Sequence, residues 1–129
     1  MSGGVKLKKK SAMMHNEPGR LTDDAIDEVF KWCFEINASD ITFQTGQPVW
    51  ADVYGRIQHV TKRYLSPAEV VDVLNRIYGP NGAAQIASGR DIDIAYEVKV
   101  SRNSRYRFRI NATGVLVDGT DGIQVTART

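Results

Sequence analysis

The sequence predicts an α+β domain in which helices pack on one side of an antiparallel sheet. Three observations favour this fold class. Apolar residues recur with helical spacing in some segments, they alternate with polar residues in most others, and the alternating segments are joined by short turns. Strands joined by short turns run antiparallel. The resulting order is helix, three strands, two helices, and three or four strands, which is an α+β plan.

Composition excludes several classes of protein. The chain has 129 residues, of which 42% are hydrophobic and 25% charged, as in an ordinary soluble domain. A single cysteine cannot form an internal disulfide, and two histidines without paired spacing do not provide a usual zinc site. The apolar runs are far shorter than a membrane span, and the chain does not begin with a secretory segment. We therefore expect a cytoplasmic protein without a metal site.

The helices are predicted from their caps and their apolar spacing. The first follows the N-cap candidate Thr22 and ends near Asn37. The second begins with the capping box Ser66-Pro67-Ala68-Glu69 and is stopped by Gly79-Pro80. A short third helix is predicted over residues 81–88. Apolar faces recur at i, i+3, i+4 and i+7, and in the first helix this face consists of Ile26, Val29, Phe30 and Cys33.

The predicted strands fall into two groups. The first group covers residues 41–45, 49–53 and 57–60. Tyr54-Gly55 joins the last two of these as a hairpin, although tyrosine is a poor first residue for such a turn. Gly114 predicts a bulge or bend, and a turn is predicted over residues 118–122. The second group then covers residues 92–98, 106–112, 115–117 and 123–127.

Basic residues are concentrated near the start of the chain, although the net charge is only +2. Residues 1–19 are predicted to be a flexible basic lead. A solvated terminus is the more common role of such a segment. The alternative is an electrostatic arm for an acidic surface or DNA, formed by Lys6, Lys8, Lys9 and Lys10.

A second basic group lies on one predicted strand, where polar and apolar residues alternate. Period-two alternation places its members on one face, about 7 Å apart. Their repulsion requires negative partners, either Asp93 and Glu97 on the preceding strand or an external anion such as phosphate. Single-stranded nucleic acid is less favoured, because the aromatic residues Tyr106 and Phe108 point to the other face. The group consists of Arg105, Arg107 and Arg109.

No motif for catalysis is present in the 129 residues. The sequence has no GxxxxGK[ST] phosphate loop, no GxGxxG after a strand and no GxSxG elbow. Asp91 and Asp93 point to one strand face and could pair as acid and base or hold a cation. Such acids more often balance nearby arginines. No catalytic residue is therefore predicted in this chain.

Five motifs in a fixed order resemble a known family over about residues 20–129. The order and spacing of these motifs are similar to the N-terminal domain of the PilT/GspE superfamily of secretion ATPases. Within it, the stretches EPGRLTDD, IYGPNGAA, SGRDIDIAYE and RYRFRINAT resemble the branch of type IVB secretion ATPases (DotB) and IncI-type conjugation ATPases (TraJ), and we slightly favour the conjugative side. The five motifs are Ala38-Ser39-Asp40-Ile41, Val53-Tyr54-Gly55-Arg56-Ile57, Asp91-Ile92-Asp93, Arg107-Phe108-Arg109-Ile110-Asn111 and Ile123 to Arg128.

The resemblance implies a PAS-like domain followed, through a flexible linker, by a RecA-like ATPase domain. Such proteins form hexameric cytoplasmic rings at the inner membrane and work with secretion or conjugation machinery. The full-length protein would use ATP and Mg²⁺, whereas the isolated domain would bind no cofactor and no small-molecule substrate. Because the phosphate loop and the Mg²⁺-binding acids do not occur within residues 1–129, we expect no ATP hydrolysis by this chain alone.

The resemblance also implies a role for the arginines. By motif position, Arg107 and Arg109 would approach the nucleotide phosphates bound by a neighbouring subunit. Arg128 is a weaker candidate, and Arg105 lies outside the common motif but on the same face. An arginine that stabilises charge on a transferring phosphoryl group is a recurrent device. Tyr54 departs from the family, which has a polar residue at this turn.

Two other hypotheses stay open. One is a free-standing PAS-like sensor that binds a small ligand between its sheet and its helices. The bulky apolar residues of the sheet argue against it, since they are suited to filling that space: Phe43, Tyr96, Phe108 and Ile110. The other is a nucleic-acid-binding or adaptor module that uses the lysines and the arginines.

Overall fold

One antiparallel sheet carries the helices of the structure, a computed structural model that describes residues 11–129. In chain order the elements are α1 (Asp23–Glu35), β1 (Ala38–Gln44), β2 (Trp50–Val53), β3 (Arg56–His59), α2 (Pro67–Ile77), α3 (Gly82–Ala87), β4 (Ile92–Ser101), β5 (Ser104–Val117) and β6 (Thr120–Arg128). The strand order in the sheet is β3-β2-β1-β6-β5-β4, and every neighbouring pair is antiparallel. The α+β class is confirmed.

Local capping sets where the two long helices begin. The Thr22 hydroxyl accepts a hydrogen bond from the Ala25 N–H at 3.2 Å. At α2 the Ser66 hydroxyl accepts from the Glu69 N–H at 3.2 Å, and the Glu69 carboxylate accepts from the Ser66 N–H at 3.0 Å. Both predicted caps are confirmed. Helix α1 ends at Glu35, slightly before the predicted end, and Asn37 follows with φ +66°.

Two hairpins use two-residue turns with positive φ at both central residues, as in a type I′ turn. These are Tyr54-Gly55, with φ of 52° and 80°, and Asp118-Gly119, with φ of 52° and 78°. The longer turn predicted over residues 118–122 is wrong, because Asp-Gly alone is a preferred type I′ pair. The bend predicted at Gly114 is also wrong, since β5 continues through it without a break. The second group therefore has three strands.

The core lies between the helices and one face of the sheet. Phe108 and Ile110 of β5 are buried on this face, as is Phe43 of β1. Phe30 of α1 packs against the rings of Phe43, Tyr96 and Phe108, with ring centroids 4.9–5.5 Å apart. Burying each large apolar side chain stabilises the fold by about 1.5–3 kcal/mol. The bulky residues of the sheet thus fill the space below α1, as predicted.

The second half of the predicted flexible lead packs against the domain. Ala12 is buried, and its carbonyl accepts a hydrogen bond from the Trp32 indole N–H at 2.7 Å. The Met14 N–H donates to the Val60 carbonyl at 2.9 Å. Glu17 accepts hydrogen bonds from two backbone N–H groups of the loop before α2. Because these long-range contacts hold the segment, the packed domain includes residues from Ala12 onwards rather than from residue 20.

None of the helices within residues 11–129 combines the length and the apolar character that crossing a bilayer requires.

Candidate functional site

The open face of the sheet, opposite the helices, carries the predicted arginines. Strand β5 alternates between its two faces, so its arginines point outward while Phe108 and Ile110 point into the core. The open-face arginines of β5 are all exposed: Arg105, Arg107 and Arg109.

The register between strands brings a fourth arginine into this group. Arg109 is the direct partner of Arg128 on β6, and Arg128 is in turn the partner of Asp40 on β1. Adjacent strands lie about 4.8 Å apart, so these two side chains leave the sheet side by side on the open face. Like charges that face each other on adjacent strands are destabilising, and nearby acids offset this cost. One row across the sheet contains Ala95, Arg109, Arg128, Asp40, Asp52 and Ile57.

Three of the four arginines pair with an acid of a neighbouring strand. The contacts are Arg107 Nη1 to Glu97 at 3.9 Å, Arg109 Nε to Asp93 at 3.4 Å, and Arg128 Nε to Asp40 at 3.3 Å. Asp93 and Glu97, which were predicted as internal partners of the β5 arginines, therefore do pair with them. The three arginine side chains stay 73–77% exposed. Exposed pairs of this kind contribute about 0–1 kcal/mol each, so an external anion can replace the carboxylates.

Arg105 has a different environment. Its direct partner on β4 is Lys99, and Arg102 lies in the adjoining turn. Within residues 11–129, no carboxylate lies within 4.0 Å of the Arg105 guanidinium. The three cations make this corner of the open face a source of positive potential that attracts anions.

Sequence reasoning missed two residues of the open face. Asp52 lies directly opposite Asp40, and its Oδ1 is buried without a hydrogen-bond partner in the part of the chain that the structure describes. A buried acceptor without a donor costs about 1–3 kcal/mol of stability. Trp50, half-buried, lies on the same face. The sequence did contain a signal for Asp52, since it is an acid within the otherwise apolar strand Trp50–Val53.

Asp91 and Asp93 are engaged separately rather than as an acid–base pair. Asp91 accepts a hydrogen bond from the Thr113 hydroxyl at 2.8 Å, while Asp93 pairs with Arg109. Across residues 11–129, no group of three or more histidine, cysteine or acidic side chains converges to hold a metal ion. Asp93 therefore balances an arginine of the open face, whereas Asp91 joins β4 to the Thr113 hydroxyl of β5.

The titratable groups with the clearest pKa shifts lie on the helix side and have structural roles. Burial raises the pKa of the Cys33 thiol to about 12, which disfavours the reactive thiolate form. Burial and a hydrogen bond to Asp27 raise the pKa of Tyr96. The same carboxylate accepts from Arg76 Nη2 at 2.6 Å and from its Nε at 3.3 Å. This network joins α1, α2 and β4.

A groove of about 480 Å³ lies on the helix side, where α2 and α3 meet the end of the β5–β6 hairpin. Its lining is mostly apolar and includes Pro67, Val71, Ile86 and Ile123. Leu116, also in the lining, is 74% exposed. The groove is at the opposite end of the sheet from the end of β6.

Searches with protein-family models and with curated proteins gave no match. Among solved structures, the chain is similar to the ATPase DotB of Legionella pneumophila. The two are 50% identical over 91% of this chain, and the TM-score is 0.87. The chain is a DotB-like N-terminal domain of the PilT/GspE superfamily. It spans about a third of the solved DotB chain, 32%.

Two further solved structures show the same fold at low identity. The ATPase DotB of Yersinia pseudotuberculosis is 19% identical over 92% of this chain and 34% of its own, with a TM-score of 0.78. The pilus retraction motor PilT with bound ADP is 20% identical over 81% of this chain and 28% of its own, with a TM-score of 0.55. The preference for the conjugative branch and the nucleotide contacts of the arginines stay predictions.

Proposed function

We propose that this domain belongs to a cytoplasmic, hexameric ATPase at the inner membrane that powers type IVB-like secretion or conjugative DNA transfer. Support comes from its 50% identity to a protein described as the ATPase DotB. The parent protein would bind ATP and Mg²⁺ outside residues 1–129, since these contain no phosphate loop. Its partners would be further copies of itself and the membrane-embedded secretion or conjugation machinery.

We propose that the open-face arginines contact the nucleotide phosphates of a neighbouring subunit. Arg107 and Arg109 are the principal contacts, with Arg128 and Arg105 beside them. The observation that carries this proposal is that these arginines are held only loosely by their carboxylate partners. Each paired arginine makes one carboxylate contact of 3.3–3.9 Å and is about three-quarters exposed. A phosphate offers more charge and more acceptor oxygens than a carboxylate, and guanidinium groups bind it in a bidentate manner.

The same pairs suggest how the domain senses its neighbour. In the undocked state, Asp93 and Asp40 hold Arg109 and Arg128. In the docked state, phosphate oxygens replace the carboxylates, so nucleotide binding favours docking by the difference between the two sets of contacts. Loss of the phosphate returns the arginines to their own acids. The domain would then rotate as a rigid body about the chain that follows Thr129.

The test is the ATPase turnover of the parent protein carrying Arg107→Ala or Arg109→Ala. Removing one donor to the charge of a phosphoryl-transfer transition state is expected to lower kcat by about 10²-fold. Arg90→Ala is the matched control, because Arg90 is an exposed arginine in the loop before β4 and is not one of the four open-face arginines. Unimpaired turnover in both test variants would rule out the proposed contact.

The two other hypotheses receive less support from the geometry. Phe30 and its aromatic neighbours occupy the space in which a sensor would bind its ligand. Tyr106 stacks on Phe34 with ring centroids 3.9 Å apart, so it is not offered to a nucleic-acid base. Lys6, Lys8, Lys9 and Lys10 lie outside the described residues. Strong, salt-dependent binding of DNA by this chain would favour the nucleic-acid hypothesis.

A further inference from the structure

Strand β4 is a free edge of the sheet. It is last in the strand order, and in the part of the chain that the structure describes its backbone forms hydrogen bonds only with β5. The opposite edge, β3, has four residues, whereas β4 has ten and contains no proline. Proteins commonly shorten or interrupt an edge strand, because its unpaired N–H and C=O groups can bind another strand. The long edge of β4 is therefore a surface to which a further strand can be added.

The charges on β4 make the strand complementary to a reversed copy of itself. Asp93, Glu97 and Lys99 are exposed and lie on the open face of the sheet. An antiparallel copy centred on Tyr96 places Asp93 of each chain opposite Lys99 of the other, and Glu97 opposite Ala95. The same charge pair thus forms twice, as a two-fold contact requires. Opposite charges that face each other across two strands stabilise the pairing.

The apolar face of β4 fits the same alignment. Ile94 of each copy lies opposite Val98 of the other, and Tyr96 lies opposite its own counterpart. Ile94 and Tyr96 are half-buried in the single domain, so the pairing removes further apolar surface from water. Among residues 11–129, no carboxylate lies within 4.0 Å of the Lys99 ammonium, so Lys99 is free to pair with an acid of a second copy.

Other alignments of the two strands are less favourable. Moving the centre by one residue brings acids together, because Asp93 then faces Glu97 or Glu97 faces its own counterpart. A centre at Val98 pairs Glu97 with Lys99, but it brings the end of β4 beyond Lys99 into the ladder, where the register with β5 shifts. The centre at Tyr96 pairs opposite charges and needs only the regular part of the strand.

We propose that β4 is a self-association surface, through which two copies of this chain join their sheets into one. The strands pair antiparallel about a two-fold axis at Tyr96, and the helices of both copies stay on the same side of the joined sheet. Such a contact links domains in pairs and is separate from the head-to-tail contacts that close a ring. The inference goes beyond the proposed function, because it requires neither a nucleotide nor the rest of the parent protein.

The test is sedimentation velocity of this chain at physiological salt, over a series of concentrations. The unsubstituted chain should form dimers as its concentration rises. In Asp93→Lys two lysines face each other, and in Lys99→Asp two aspartates do, so each variant alone should self-associate about tenfold more weakly or less. An equimolar mixture of the two variants should restore the dimer, because every Asp93 or Lys99 position then faces the opposite charge.

Asp72→Lys and Lys62→Asp are the matched controls, since they make the same charge changes at exposed positions away from β4. Asp72 lies on α2, and Lys62 follows β3 at the opposite edge of the sheet. Alone and mixed, they should dimerise like the unsubstituted chain. A chain that stays monomeric at every concentration would overturn the proposal. So would β4 variants that dimerise as well alone as the unsubstituted chain, or a mixture of them that fails to restore the dimer.

Discussion

The two faces of the sheet differ in what holds their side chains, as neighbouring residues of β5 show. Phe108 is 1% exposed and packs against the rings of Phe30 and Phe34. Arg109 points to the other face, its side chain is 74% exposed, and one contact of 3.4 Å joins it to Asp93. The covered face is fixed by close packing, which has one good arrangement. The open face is held by exchangeable ion pairs, so its contacts can change while the fold is kept.

The largest expected effect is on the covered face. Phe108→Ala should lower the free energy of unfolding by about 3–5 kcal/mol, because it removes a buried ring and leaves a cavity. Arg109→Ala should change it by less than about 1 kcal/mol, since an exposed pair contributes little. Urea denaturation of the two variants of this chain provides the measurement. Comparable losses of unfolding free energy in both variants would contradict this difference between the faces. They would mean that Arg109 stabilises the fold as much as the core does.

An intermediate effect is expected at the start of α2, which covers the sheet. Burial raises the pKa of Glu69, but hydrogen bonds from Ser66 and the charge and hydrogen bond of Arg63 lower it more, so the net pKa lies below the ordinary 4.5. A lowered folded-state pKa gives stability that is present above pH 4.5 and is lost as the pH falls through the folded-state value. Acid should therefore destabilise the domain through this residue.

The measurement is the change in unfolding free energy between pH 7 and pH 3, for this chain and for Glu69→Gln. Glutamine keeps the acceptor of the capping box and removes the titrating charge. The unsubstituted chain should lose more stability than the variant over this range, because only its carboxylate becomes protonated. Identical pH profiles would mean that the Glu69 carboxylate is not favourably held in the folded state.

Local signals predicted most of the fold. The caps at Thr22 and Ser66 and the period-two strands depend on residues close in sequence, and the structure contains them. Gly122 of the last hairpin was misread as a turn residue because the reason for it is tertiary. A Cβ on Gly122 would lie 2.9 Å from Val117 and 3.1 Å from Thr45, so glycine is needed there inside a strand rather than in a turn. The hydrogen bond from the Trp32 indole to the Ala12 carbonyl also joins residues that are not neighbours in sequence.

The candidate site was also predicted only in part: the sequence indicated which face the arginines occupy but not which residues lie beside them. Alternation alone placed the β5 arginines on one face, away from the apolar core. It could not show that Arg128 lies beside Arg109, or that Asp40 and Asp52 continue the row, because the register between distant strands depends on the whole sheet. Sequence periodicity gives the face of a residue, and the assembled sheet gives its neighbours.

The most direct test of the role proposed for the open face compares the two partners of one ion pair in the parent protein. Arg109→Ala removes the proposed phosphate contact, whereas Asp93→Asn removes only the acid that holds Arg109 at 3.4 Å. Steady-state ATPase turnover should fall by about 10²-fold in Arg109→Ala. It should stay unchanged or rise in Asp93→Asn, because Arg109 is then free to meet a phosphate. An equal fall in both variants would contradict this account, since it would mean that the ion pair acts only within the domain.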